Sequence, residues 1–212
     1  MTKLSVWKKA CTVLVLCAAT AIASPAQTFT TLYSFCSQPN CRDGSNPLAG
    51  LVQATNGNLY GTTSSGGEFN NNGTVFEITL KGALTTVYDF TGGPDGSLPF
   101  AGLVQATNGN LYGATYGAGA NGVGTIFGLD EGLGPFVTFV QAAGKVGQTG
   151  PILGQGLTGT TSVSLNGTPA NFTVVSDTFI TATVPAGATT GYVTVTTPSG
   201  TLTSNVPFHV IP

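Results

Sequence analysis

Charge is scarce in this 212-residue chain: Asp, Glu, Lys and Arg together make up 7 % of it, and histidine occurs once. So thin a supply leaves little material for acid–base chemistry or for a cage of metal ligands. Lys3, Lys8 and Lys9 all fall within the first nine residues, and beyond them only Arg42, Lys81 and Lys145 face eight acids, a net charge of 3 − 8 = −5. Three scattered cations cannot make the basic stripe that displaces counterions from a nucleic acid, so DNA and RNA are excluded as partners. Segments rich in Ala, Leu, Glu and Lys are also missing, which argues against helices. What is abundant is Gly and Thr, the composition of an all-β protein.

The N-terminus has the layout of a secretory signal peptide: a basic lead, an apolar run from Ala10 to Ala23, then small residues. The run is shorter than the roughly 20 residues a membrane-spanning helix needs. Cleavage is expected after Ala26, or after Ala23 as the alternative, giving a secreted or cell-surface chain and leaving no later apolar stretch long enough to span a bilayer. Attachment of lipid at Cys17 is disfavoured by the bulky Leu16 before it. Cys11 and Cys17 leave with the leader, so one pair remains, Cys36 and Cys41 in CSQPNC. In an exported protein these are expected to form a short-loop disulfide; the rival, a metal site, would need two more ligands.

The phrase GLVQATNGNLYG occurs twice, from Gly50 and from Gly102, 52 positions apart. Asn56-Gly57 and Asn108-Gly109 stand between short apolar runs, which predicts hairpins with tight two-residue turns. After the first phrase, GTVFEITL alternates, with Phe76, Ile78 and Leu80 on one face, and LTTVYDF follows with Tyr88 and Phe90 together. The second copy runs through GTIFGL to a divergent PFVTFV. Upstream, FTTLYSF at Phe29–Phe35 matches LTTVYDF, and DGSNP at Asp43 matches DGSLP at Asp95. The expectation is a leading strand over 28–35 and two four-stranded antiparallel units, at about 47–98 and 99–140, each like one blade of a β-propeller.

The letters GLVQATNGNLYGTT, GTVFEI and LTTVYDF resemble the GloVer tandem repeat of exported bacterial proteins, a family that implies no assigned chemistry. Two blades fall short of the four to eight of a closed propeller. An open two-sheet stack, association of copies through the blade faces, and a loosely ordered region are the three ways out.

From 144 to 212 the repeat is absent and strands alternate apolar with Thr and Ser: Val163 and Leu165, Phe172 and Val174, Ile180 to Val184, Val193 and Val195, Val206 to Val210. Such strands bury one face, as in a small immunoglobulin-like sandwich. The order ILGQGL, SVSLNGTPA, ITATVPAGATTGYVTVTTPSG and NVPFHV is similar to the IPT/TIG family. That resemblance implies an Ig-like fold found in receptors, in accessory modules of extracellular enzymes and in some transcription factors.

Chemistry-bearing residues are few. His209 alternates with Phe208 and Val210 and is expected to face solvent. Asp43 and Asp95 sit in Asp-Gly-Ser turns and are read as backbone caps. Asp130-Glu131, read as a polar loop, could form a carboxylate pair only by meeting another acid. The connectors SSGGEFNNNG and YGAGANGVG precede no helix and so are not phosphate loops, and no run of acids supports calcium. No cofactor and no metal is expected. Tyr60, Tyr112 and Tyr116 are the candidate ligand contacts if their rings project from blade edges, and core packing is the competing role. The sequence thus points to a secreted, non-catalytic protein that binds polysaccharide or a surface protein. An accessory fragment of an exported hydrolase and a structural wall or matrix component are the alternatives.

Overall fold

A computed structural model describes residues 28–212, among which there is no α-helix. The expected leader with Cys11, Cys17 and its cleavage sites lies outside the described residues. The first repeat is a four-stranded antiparallel sheet in the order β1-β2-β3-β4, made of β1 (Val52–Gln53), β2 (Leu59–Thr63), β3 (Thr74–Ile78) and β4 (Leu84–Asp89). Its first hairpin forms where Asn-Gly predicts one, but the turn differs. Ala54 N–H bonds Asn58 O at 2.9 Å and Gly57 N–H bonds Ala54 O at 2.8 Å. Gly57 has φ +83° while Asn56 stays at negative φ, so the loop is the three-residue kind, a tight turn followed by a left-handed residue. The Asn56 side chain explains it: Oδ1 accepts the Asn58 N–H at 3.1 Å, holding Asn56 in a local turn of its own. The second repeat repeats the arrangement with Asn108 and Gly109.

The single apolar face expected for the third strand is also corrected. Both Val75 (0 % exposed) and Phe76 (2 %) are buried, while Leu80 is exposed. β3 is sandwiched: Phe35 meets Phe76 edge-on with ring centroids 4.9 Å apart, and Val75 enters a core shared with the second repeat's Leu103 and Leu111. Stacking of sheets, which local alternation does not encode, covers the second face.

The second repeat has three strands, β5 (Val104–Gln105), β6 (Leu111–Thr115) and β7 (Thr125–Leu129), in that order. The expected fourth strand does not join them. Within PFVTFV, β8 (Thr138–Phe139) pairs with β10 (Thr149–Leu153) instead, and Val137 bridges Ser204. The apolar side chains decide this. Val137 is fully buried in the C-terminal core and Phe139 packs on Phe208, centroids 5.4 Å apart, burial worth about 1.5–3 kcal/mol per large side chain. The leading segment is corrected as well, since residues 28–34 carry no strand among the described residues. A fourth strand needs a third strand beside it, and none of the described strands pairs with this segment.

The remaining strands are β9 (Ala143–Lys145), β11 (Ser162–Leu165), β12 (Thr168–Pro169), β13 (Phe172–Ser176), β14 (Phe179–Thr183), β15 (Val193–Thr197), β16 (Gly200–Thr203) and β17 (His209–Ile211). They build two four-stranded sheets, β13-β14-β10-β8 and β12-β11-β15-β16, and a parallel pair β17-β9. Ile152 and Ile180 from one sheet and Val163, Leu165, Val193 and Val195 from the other share one buried cluster, so the two sheets face each other as a sandwich. His209 is exposed, with Phe208 and Val210 half-buried against the core.

Candidate functional site

Each Asp-Gly-Ser turn anchors the tyrosine of the strand-four segment that precedes it. Asp43, fully buried, accepts the Tyr33 O–H at 2.8 Å, the Ser37 N–H and O–H both at 2.9 Å, and the Gln38 N–H at 3.3 Å. Burial alone would raise this carboxyl. The hydrogen bonds from Tyr33, Ser37 and Gln38 outweigh it and hold the group below its ordinary value. Ser37 and Gln38 lie in the loop closed by the Cys36–Cys41 disulfide. Asp95 repeats the role half-buried, accepting Tyr88 O–H at 3.1 Å, Thr91 N–H at 2.8 Å and Thr91 O–H at 2.5 Å. The glycine after each aspartate is required by close packing: a Cβ on Gly44 would lie 2.5 Å from Thr63 Oγ1, and one on Gly96 would strike Thr115. Those threonines pair with Thr74 and Thr125 through their hydroxyls, at 2.8 and 2.9 Å.

The three candidate tyrosines separate. Tyr60 is 2 % exposed, part of the core between the two repeats, so its ring offers no face to a ligand; its place in the sheet next to the second repeat is the reason. Only its hydroxyl reaches a polar cluster, donating to Glu77 at 2.9 Å and accepting from Asn56 at 3.0 Å. Burial, then the hydrogen bond to Glu77, pushes this phenol up to about 12. Tyr112 is half-buried, its hydroxyl held by Asn108 at 2.9 Å. Tyr116 is 71 % exposed and stands beside Phe100, 45 % exposed, with ring centroids 5.5 Å apart and planes tilted by 55°.

Glu77 is the residue the sequence reading passed over. Its Oε1 collects Asn58 Nδ2 at 2.6 Å, Tyr60 O–H at 2.9 Å and Asn56 Nδ2 at 3.1 Å. The Asn58 bond does most to hold its carboxyl below the ordinary value, with Tyr60 and Asn56 assisting. Glu131 lies close enough to feel it: partial burial first, then the charges of Glu77 and Asp130, raise the Glu131 carboxyl. The signal was legible in the repeat itself, because the register that matches Phe76 to Phe127 puts Gly128 at the position Glu77 holds in the first repeat. No cluster of three or more His, Cys, Asp or Glu suited to a metal occurs among the described residues, and no described helix is long and apolar enough to cross a membrane.

These features define a class: an all-β protein with tandem antiparallel sheets that share a core and an aromatic edge contact, each repeat carrying an Asp-anchored tyrosine. The chain matches the family described as the Gloeobacter/Verrucomicrobia repeat over residues 19–168, more than half its length, and it belongs to that family. The match runs past β8 into the first strands of the sandwich. Among curated proteins none matches it.

Proposed function

We propose that this is an exported, non-catalytic binding protein that uses an aromatic surface of its second repeat to hold a polysaccharide or a surface protein. One observation carries the reading: Phe100 and Tyr116 form an exposed pair of tilted rings, while the first repeat has Leu48 and the buried Ser64 at the same positions. An exposed aromatic pair with a phenolic rim suits the apolar face of a sugar ring or a protein side chain. The carboxylates of Asp43, Asp95 and Asp177 are already engaged by backbone and hydroxyl donors, which supports a holding rather than a reacting surface. The C-terminal sandwich is read as an IPT/TIG-like, Ig-like module that spaces or presents the repeats, and the N-terminal segment as the signal for export. The test is retention on insoluble cellulose, chitin and peptidoglycan. Retention that is lost in Tyr116→Ala and Phe100→Ala, with Tyr112→Ala unaffected, supports the reading; retention on none of them removes the polysaccharide branch.

A second reading, an accessory fragment of a hydrolase, has one observation in its favour. Hydrogen bonds hold the Glu77 carboxyl below its ordinary value, while partial burial and then the charges of Glu77 and Asp130 raise that of Glu131, opposite directions of the kind an acid–base pair shows. Against it, one Glu77 oxygen is saturated by three structural donors.

A further inference from the structure

The two repeats are the same unit in unequal states of completion. In the first, β3 is flanked by β4 and its Val75 is fully buried; in the second, β7 has no strand beyond it among the described residues, and Ile126, which stands where Val75 does, is 86 % exposed. Val104 on the same face is 61 % exposed. A groove of about 190 Å³ runs along this edge between Ile126 and the rings of Tyr88 and Phe90.

At the other end of the stack the reverse holds. The segment FTTLYSF has the letters of a fourth strand, and its last residues already sit as one. Tyr33 donates to Asp43 as Tyr88 does to Asp95. Phe35 meets Phe76 edge-on, centroids 4.9 Å apart, as Phe90 meets Phe127 at 5.1 Å. The first repeat therefore receives the end of a fourth-strand segment that has no partner strands of its own among the described residues. The second repeat supplies three strands whose fourth has gone to the sandwich.

We propose that copies of this chain join head to tail, the Phe29–Ser34 segment of one copy pairing antiparallel with β7 of the next and completing its sheet. The occupant is a second copy because both halves of the junction are written in this one sequence. The junction also reproduces the packing between repeats that each chain already contains. Bringing the exposed Ile126 and Val104 of one copy against the exposed Leu51 and Leu48 of another removes both apolar ends from water. An unpaired five-residue edge is itself a template for strand addition. The contact is heterologous, so it closes into a ring or continues as a filament according to the rotation per copy. The register follows from the first repeat, where Glu77 pairs with Thr85 and Val75 with Tyr88: Gly128 faces Thr30 of the next copy, and Ile126 faces its Tyr33.

The test uses the full chain, expressed with its own N-terminal segment, and reads its mass by light scattering across concentration. A multiple of the chain mass that falls to one chain in Ile126→Lys is expected, because that side chain is exposed in a single copy and its replacement leaves the fold intact. Mixed Gly128→Cys and Thr30→Cys chains, gently oxidised, are expected to form a cross-linked pair that neither variant forms alone. A single-chain mass at the highest soluble concentration overturns the proposal. So does an assembly that survives Ile126→Lys, or equal cross-linking in each variant alone.

Discussion

Replacing the two equivalent aspartates one at a time gives an internal measurement of what burial does to one motif. Asp43 is fully buried and accepts four hydrogen bonds, three of them between 2.8 and 2.9 Å. Hydrogen bonds to a charged group are worth about 1.5–3 kcal/mol each, but Ser37 is exposed and Tyr33 half-buried, so their freed donors partly recover water. We expect Asp43→Ala to cost about 3 kcal/mol. Asp95 is half-buried and its main donor, Thr91, is exposed, so Asp95→Ala should cost about 1 kcal/mol. In urea, with a slope of about 1–3 kcal/mol per molar, a gap of that size separates the two midpoints by about 1 M. Tyrosine fluorescence is the suitable probe, because Tyr33, Tyr60, Tyr88, Tyr112 and Tyr116 lie in the repeat region and only Tyr192 in the sandwich. Acid provides the second arm. Both carboxyls are held below their ordinary value, so their contribution is complete above that value and is lost as pH falls through the lowered one. The wild type and Asp43→Ala should therefore converge below about pH 4. An Asp95→Ala variant as damaging as Asp43→Ala, or a gap indifferent to acid, would refute the reasoning.

The glycines of the repeat should respond unequally, even where the letters agree. A Cβ on Gly61 meets the tips of Leu51 and Phe76 at 2.6 and 2.7 Å, and one on Gly113 meets Phe127 and Leu103 at 2.5 and 2.8 Å. Leu51 is 51 % exposed and can swing away, whereas Leu103 is buried. Gly61→Ala is expected near the low end of the overpacking range of about 1–3 kcal/mol and Gly113→Ala near the high end, read as urea midpoints. Likewise Gly57→Ala, open to solvent at φ +83°, should cost about 1 kcal/mol for its backbone alone, while Gly109→Ala should cost more, because its Cβ would run into the Leu133 carbonyl. Equal losses within either pair would contradict these packings.

The sequence made the sheets legible wherever the signal was local. Asn-Gly between apolar runs marked both hairpins, and the alternation of Val163, Leu165, Val193 and Val195 marked the sandwich faces. The turn type was not legible, because it turns on where the Asn56 side chain bonds. Nor was the burial of Val75 beside Phe76, since both faces of β3 are covered by segments far away in the chain. Divergence between repeats was the underused signal. Gly128 in place of Glu77 marks the acid cluster, and Phe100 with Tyr116 in place of Leu48 with Ser64 marks the exposed rings. The departure of PFVTFV from LTTVYDF marked a strand with a different partner, but only the sandwich could say which one.

That borrowed strand bears on how such chains can be cut and recombined. Val137 and Phe139 belong by letter count to the second repeat and by packing to the sandwich. A breakpoint placed at residue 143, where the wording changes, would strip the sandwich of an edge and two core side chains. One placed before Phe136 would carry them along, so the transferable cassette begins inside the last repeat rather than after it.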